Sequence, residues 1–230
     1  MTKSYDVWWQ KDQESDDDMA RDHQEAWERT IEMLDTSDIK GKTILDVGCN
    51  QGGFLRKLYD TTPFKEGVGI DLARLSLEKA ETLKGERPLT YYLTDKPQET
   101  NRTFDTAVST SVLYLIEDIP QHAQDLKEVL KPGGVYYASF ADLTNNPSRQ
   151  FMDGTINQYG ATPSQNHSLK HIVDSFVDAG FEVAVMKEPV PDVIDLTHYS
   201  DFYLSPNDYL QTLYEESFLI KASVKEGIGK

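Results

Sequence analysis

The chain has 230 residues but a single cysteine, Cys49, no long apolar run and a shortage of basic residues. One cysteine excludes an internal disulfide framework and any zinc site built on cysteines, in keeping with a reducing compartment. No stretch approaches the roughly 20 apolar residues that span a bilayer. The N-terminus, MTKSYDVWWQKDQESDDDMA, has no apolar segment after its first lysine and turns acidic at once. A secretory signal is therefore not expected, and the protein is expected in the cytoplasm with no membrane partner. Lys and Arg number 23 against 39 Asp and Glu, a formal net charge of -16. Such a field repels phosphate backbones and disfavours sequence-independent nucleic-acid binding. Residues 188–217 contain no Lys or Arg, and together with residues 1–40 they carry nearly all of the excess negative charge.

What is present is a globular composition, 38% hydrophobic and 27% charged, long enough to bury a substantial core. Residues 1–17 show no sustained period and read as a loose arm carrying Tyr5, Trp8 and Trp9. A helix capped by Asp18 is expected next, with Met19, His23, Ala26, Trp27, Thr30, Ile31 and Leu34 as its apolar stripe. From Thr43 onward, short apolar runs alternate with turn residues and helical stretches, the pattern of β-α-β units. Strands are expected at Thr43–Val47, Gly67–Asp71, Leu89–Leu93, Phe104–Ser109, Val135–Phe140, Phe181–Met186 and Phe218–Ser223. Helices are expected at Gly53–Tyr59, Leu75–Leu83, Ile119–Leu130 and Leu169–Ala179, and residues 142–167, rich in Asn, Gly and Pro, as a long loop. The expected fold is α/β, one doubly wound and mostly parallel seven-stranded sheet with helices on both faces and an antiparallel final strand.

The stretch that carries chemistry is Ile44–Phe54, ILDVGCNQGGF. A buried strand ends in Asp46, a glycine-rich turn follows, and a helix opens at Gly53, an arrangement that brings backbone groups and a helix N-terminus to a ligand at the carboxyl edge of the sheet. The next strand ends at Asp71, where a carboxylate can accept bonds from both hydroxyls of an adenosine ribose. A dinucleotide site wants G-x-G-x-x-G. Gly48 and Gly53 match its outer positions, but Asn50 stands at the middle one, where a Cβ would crowd a pyrophosphate. Asparagine tolerates a left-handed turn, so a ligand without pyrophosphate still fits.

Asp46-Val47-Gly48-Cys49-Asn50-Gln51-Gly52 resembles the first motif of the class I S-adenosylmethionine-dependent methyltransferases, with Asn50 in place of the usual second glycine. The acidic second motif at Gly67–Asp71, Thr103-Phe104-Asp105, Val112-Leu113-Tyr114, Leu130–Gly134 and Ala179-Gly180-Phe181 follow in the family's order. The resemblance covers residues 41–187 and the final strand. It implies S-adenosylmethionine as cofactor, with Asp46 anchoring the methionine ammonium and Gly48, Cys49, Asn50 and Gly52 running past the methionyl part. It implies Asp71 on the ribose hydroxyls, Leu72 against adenine, Asp95 at the adenine amino group, Ser109 and Thr110 at the methionine end, and Tyr114 near the line of methyl transfer. No metal is implied.

By the same resemblance the acceptor pocket is built from residues 1–40 (N-terminal arm and helix), 142–167 and 188–217 (an insertion acting as a lid), around a core at 41–187 and a final strand and tail at 218–230. His167, His198 and Tyr199 join Tyr114 as candidate acid or base residues. The place after the fourth strand reads Ser109-Thr110-Ser111-Val112, not the Pro-Pro-aromatic motif of enzymes that methylate exocyclic base amines, and Cys49 lies in the cofactor turn rather than at a cytosine nucleophile position. The expected acceptor is a small molecule, and the acidic, aromatic segments suit an amine-bearing or cationic one. An RNA or protein side-chain acceptor, and a non-catalytic cofactor-binding protein, stay open as alternatives.

Overall fold

The computed structural model describes residues 4–11, 21 and 23–225. The elements are, in order, α1 (Gln24–Met33), α2 (Thr36–Ile39), β1 (Thr43–Val47), α3 (Gly53–Thr61), β2 (Glu66–Asp71), α4 (Arg74–Leu83), β3 (Leu89–Leu93), β4 (Phe104–Ser109), α5 (Ile119–Val129), β5 (Leu130–Ala141), α6 (Arg149–Tyr159), α7 (Leu169–Asp178), β6 (Phe181–Lys187), α8 (Pro206–Gln211) and β7 (Ser217–Val224). The expected helix cap Asp18 and the stripe residue Met19 lie outside the described residues.

The seven strands form one sheet in the order β3-β2-β1-β4-β5-β7-β6. All pairings are parallel except those that β7 makes with β5 and β6. The central strands are buried on both faces, which explains their unbroken apolar text. Alternate residues of one strand feed two cores: Leu45 and Val47 join Leu126 and Phe176 on one side, while Ile44 packs with Phe54, Leu58 and Ile39 on the other. Between β1 and β4 the strand order reverses direction. Chains leave to opposite sides there, opening a crevice at the carboxyl ends of the strands.

Residues 142–167 are not a plain loop: they hold the three-turn helix α6. Gly154 in mid-helix and the Asn and Pro residues before it hide the period, although Phe151, Met152, Thr155, Ile156 and Tyr159 recur at spacings of three and four. An Arg149–Asp153 ion pair one turn apart and the contact of the Tyr159 ring with Trp9 hold α6 in place. The arm is likewise pinned at both ends. Tyr5 N–H donates to the Leu72 carbonyl and Arg74 N–H to Tyr5, while Gln10 N–H donates to Tyr159 and Ala161 N–H to Trp8. It therefore crosses from the start of α4 to the end of α6. The insertion after β6 carries α8, flanked by short irregular turns, and is tied to the 142–148 segment by a buried polar network. Asn146 Nδ2 donates to the Asp208 carbonyl and to Glu216, and Ser148 Oγ donates to the Asp208 carboxylate.

Candidate active site

At the reversal point the β1–α3 turn takes three left-handed residues, Gly48 (φ +74°), Asn50 (φ +46°) and Gly52 (φ +67°). A Cβ on Gly52 would strike the Tyr91 ring, one on Gly48 would strike Val112, and one on Gly53 would strike Trp27, so the turn is packed tightly from behind. Asn50 holds its conformation with its own side chain: Oδ1 accepts Gln51 N–H, and Asn50 N–H donates to Asp71 Oδ2 at 2.7 Å. The other oxygen of Asp71 accepts Ala73 N–H at 2.8 Å. Gly48 and Cys49 N–H both donate to the Ile70 carbonyl, and Gly52 N–H to the Cys49 carbonyl. All five N–H groups from Gly48 to Gly52 are thus engaged within the protein. A turn in that state has no donors left to cradle a phosphate.

A cavity of about 550 Å³ opens above this turn. Asp46, Gly48, Cys49 and Asn50 line it from the turn, Asp71 and Leu72 from the end of β2, Asp95 from beyond β3, and Thr110 and Tyr114 from beyond β4. Two expected residues do not line it. Gly52 faces the Tyr91 ring, and the Ser109 hydroxyl points into the core, hydrogen-bonded to the Tyr136 hydroxyl, which also meets His122 Nε2. Asp46 is 1% exposed, and its Oδ2 has no hydrogen-bond partner among the described residues. Burial and the nearby Asp71 carboxylate push its pKa well above the ordinary value. Cys49 is also buried, and burial followed by the same two carboxylates raises its thiol pKa, so it is an inert packing residue.

Sequence reasoning missed a third set of lining residues, Glu117, Asp118, Gln121, His122 and Asp125, which come from the start of α5. Positions 118, 121, 122 and 125 share one helical face, and Asp118 caps the helix by accepting Gln121 N–H. That spacing was a legible signal. The cavity wall now carries six carboxylates, those of Asp46, Asp71, Asp95, Glu117, Asp118 and Asp125, against the one ammonium of Lys96. An uncompensated buried carboxylate oxygen, a carboxylate at the end of β2 and a negative wall fit S-adenosylmethionine, which brings an ammonium, a ribose diol and a positive sulfonium. A pyrophosphate would meet a net negative wall and a turn whose N–H groups from Gly48 to Gly52 are already engaged.

A second cavity of about 460 Å³ adjoins the first, and Trp8, His23, Trp27, Thr110, Ser111 and Tyr114 line both. Its remaining wall comes from the arm, from α6 and its flanks, and from the insertion after β6. His167 lines this cavity, and its Nε2 lies 2.6 Å from the Ile116 carbonyl. A carbonyl only accepts, so Nε2 carries a proton, and in the neutral ring Nδ1 is the nitrogen with the lone pair. Tyr114 is half-buried and lines both cavities, and desolvation raises its phenol pKa well above the ordinary value. His198 and Tyr199 line neither cavity. His198 is exposed and Tyr199 half-buried.

A family model described as a methyltransferase domain matches residues 19–186. Among curated proteins, the tRNA U34 carboxymethyltransferase of Hydrogenovibrio crunogenus is 34% identical over 117 residues, covering 47% of this chain and 34% of that protein. The match spans about a third of the length of such relatives. Among solved structures, a chain of the complex between the Haloferax volcanii Trm112 methyltransferase activator and a methyltransferase superposes with a TM-score of 0.73 at 18% identity, covering 91% of this chain and 95% of that one. The N-methyltransferase NodS from Bradyrhizobium japonicum, in complex with S-adenosyl-L-homocysteine, gives a TM-score of 0.56 at 17% identity over 89% of this chain and 86% of that one. With a matched domain over most of its length and the sheet order and turn geometry described above, the chain belongs to the methyltransferase domain family, among the class I S-adenosylmethionine-dependent methyltransferases.

Proposed function

We propose that the protein transfers a methyl group from S-adenosylmethionine to a small-molecule acceptor seated in the second cavity. The observation that carries this reading is the pair of adjoining cavities, which meet at Thr110, Ser111 and Tyr114. When bound, the cofactor supplies a methyl group on a positively charged sulfur, already activated toward a nucleophile. The protein's task is then to position, to exclude water and to accept a proton. Asp46 takes the ammonium, Asp71 the ribose diol and Leu72 the adenine face, and the acidic wall favours the positive sulfonium. Tyr114 donates a hydrogen bond at the junction instead of acting as a base. His167 Nδ1, with its tautomer set by Ile116, is the proton acceptor of the second cavity. The arm and the insertion act as lids that keep water out.

The printed names of the tRNA relatives raise an RNA acceptor as the competing reading. The charge argues against it, since residues 1–40 and 188–217, which supply part of the second cavity's wall, carry a large negative excess. Incubating the protein with methyl-labelled S-adenosylmethionine and, separately, a small-molecule extract, bulk tRNA and a protein extract tests the proposal. Label should enter only the small-molecule pool and disappear in Met152→Trp, which fills the second cavity, with S-adenosylhomocysteine affinity unchanged. Label in tRNA, or undiminished transfer by Met152→Trp, overturns it.

A further inference from the structure

The second cavity holds five charged side chains, Lys11, Arg149, Asp153, Glu188 and Asp201. Four of them form two pairs. Lys11 Nζ lies 3.5 Å from Asp201, and Arg149 Nε lies 2.7 Å from Asp153, with the other Arg149 nitrogen donating to the Gln165 carbonyl. Ser164 Oγ donates to the second Asp153 oxygen. Glu188 is the exception. It sits at the end of β6, half-buried, and its carboxylate makes no hydrogen bond or ion pair among the described residues. The two cations nearest in charge influence, Arg29 and Lys187, are committed elsewhere. Arg29 faces Glu25 one turn away, while Lys187 donates to the Ser217 carbonyl and lies 4.7 Å from the centre of the Phe218 ring. Burial raises the Glu188 pKa by more than the charges of Arg29 and Lys187 lower it.

A half-buried carboxylate with no partner costs free energy unless something else neutralises it. The same cavity is lined by Trp8, Trp9, Trp27, Phe202 and Tyr203. A carboxylate in an aromatic-lined cavity, with every cation in the cavity already paired, is a receptor for positive charge. We propose that Glu188 recognises a primary amine or ammonium group on the methyl acceptor, so that the substrate class is a small cationic molecule with an apolar body. This deepens the reading of the second cavity as the acceptor site and rests on it. An anionic acceptor would find Glu188 opposing it, because freeing Lys11 or Arg149 to meet the anion would leave Asp201 or Asp153 unpaired.

The test uses the full chain saturated with S-adenosylhomocysteine and three probes of one shape, 2-phenylethylamine, 2-phenylethanol and phenylacetate, each titrated by calorimetry. The amine should bind at least about tenfold more tightly than the alcohol or the acid. Glu188→Gln should bring all three within about threefold of one another and leave S-adenosylhomocysteine affinity unchanged. Glu188→Asp, which keeps the charge, should retain most of the preference. In the unmodified protein, an amine that binds no better than the alcohol, or does not bind at millimolar concentration, overturns the proposal whatever the variants do. A preference that survives Glu188→Gln overturns it as well. These outcomes are distinct from failure of the underlying reading, which is decided by Met152→Trp and by where the methyl label goes.

Discussion

Asp71 has one structural job, ordering the turn through two backbone hydrogen bonds, and, in the function proposed above, a second one, binding the ribose diol. Its two oxygens already accept backbone N–H groups, from Asn50 at 2.7 Å and Ala73 at 2.8 Å, and these bonds fix the carboxylate in the cavity wall. In the function proposed above, a ribose diol donates its two hydroxyls to this carboxylate. Hydrogen bonds to a charged acceptor contribute about 1.5 to 3 kcal/mol each, less what water returns. Asp71→Ala should therefore cost about 3 kcal/mol, on the order of a hundredfold in S-adenosylhomocysteine affinity, and should lower thermal stability because Asn50 loses the acceptor that orders its left-handed turn. Asp71→Asn keeps the shape, but its amide group must face one of the two backbone donors. Its loss should be nearer 2 kcal/mol, roughly thirtyfold. Isothermal titration with S-adenosylhomocysteine, run beside a melting curve of the apo protein, measures both jobs. Affinity in both variants within threefold of the parent would remove Asp71 from the cofactor site, whatever the melting curve shows.

Asp46 yields a pH dependence with a definite sign. Its pKa is raised by burial and by Asp71, and a bound ammonium favours the ionised form, so S-adenosylhomocysteine should bind with release of a proton and weaken as the pH falls. Titrations in two buffers of different ionisation heat measure the release, and Asp71→Asn should move the acid limb to lower pH; equal heats in both buffers would contradict the assignment. Asn50→Gly should bind S-adenosylhomocysteine within a few-fold of the parent, since the left-handed conformation costs glycine nothing. NAD binding to the unmodified protein more tightly than S-adenosylhomocysteine would refute the charge and donor argument. Asp105 lies far from the site, where burial pushes its carboxyl up but Lys131 and the Thr43 N–H and hydroxyl hold it down at about 2. That stabilisation is full above the unfolded pKa of about 3.9 and is lost as the pH falls toward 2, so Asp105→Asn should cost about 2 kcal/mol at neutral pH and flatten the acid side of the stability curve. Urea melts between pH 2 and 7 read both.

How much was legible depended on how far apart in the chain the partners lie. β1, β3 and β4 match the expected strands residue for residue; for β1 and β4 the reason is that a strand buried on both faces is a contiguous apolar word bounded by turn residues. The left-handed Asn50 was equally readable, since the bond that holds it runs from its own side chain to the next residue. The topological switch follows from the order of the elements and the handedness of their crossovers. By contrast, α6 was hidden by Gly154 in its middle, and its stability comes from Trp9, 150 residues away from Tyr159. The direction of the Ser109 hydroxyl was decided by Tyr136, and the absence of His198 and Tyr199 from both cavity walls by the path of the insertion. Most of all, the isolation of Glu188 could not be read from the text. A carboxylate is free or paired according to which cations fold within reach of it, and here Arg29 and Lys187 came near but found other partners. Local hydrogen bonds and periodicity specify the elements and the turn. The charge balance of a cavity is a sum over side chains that only the tertiary fold brings together.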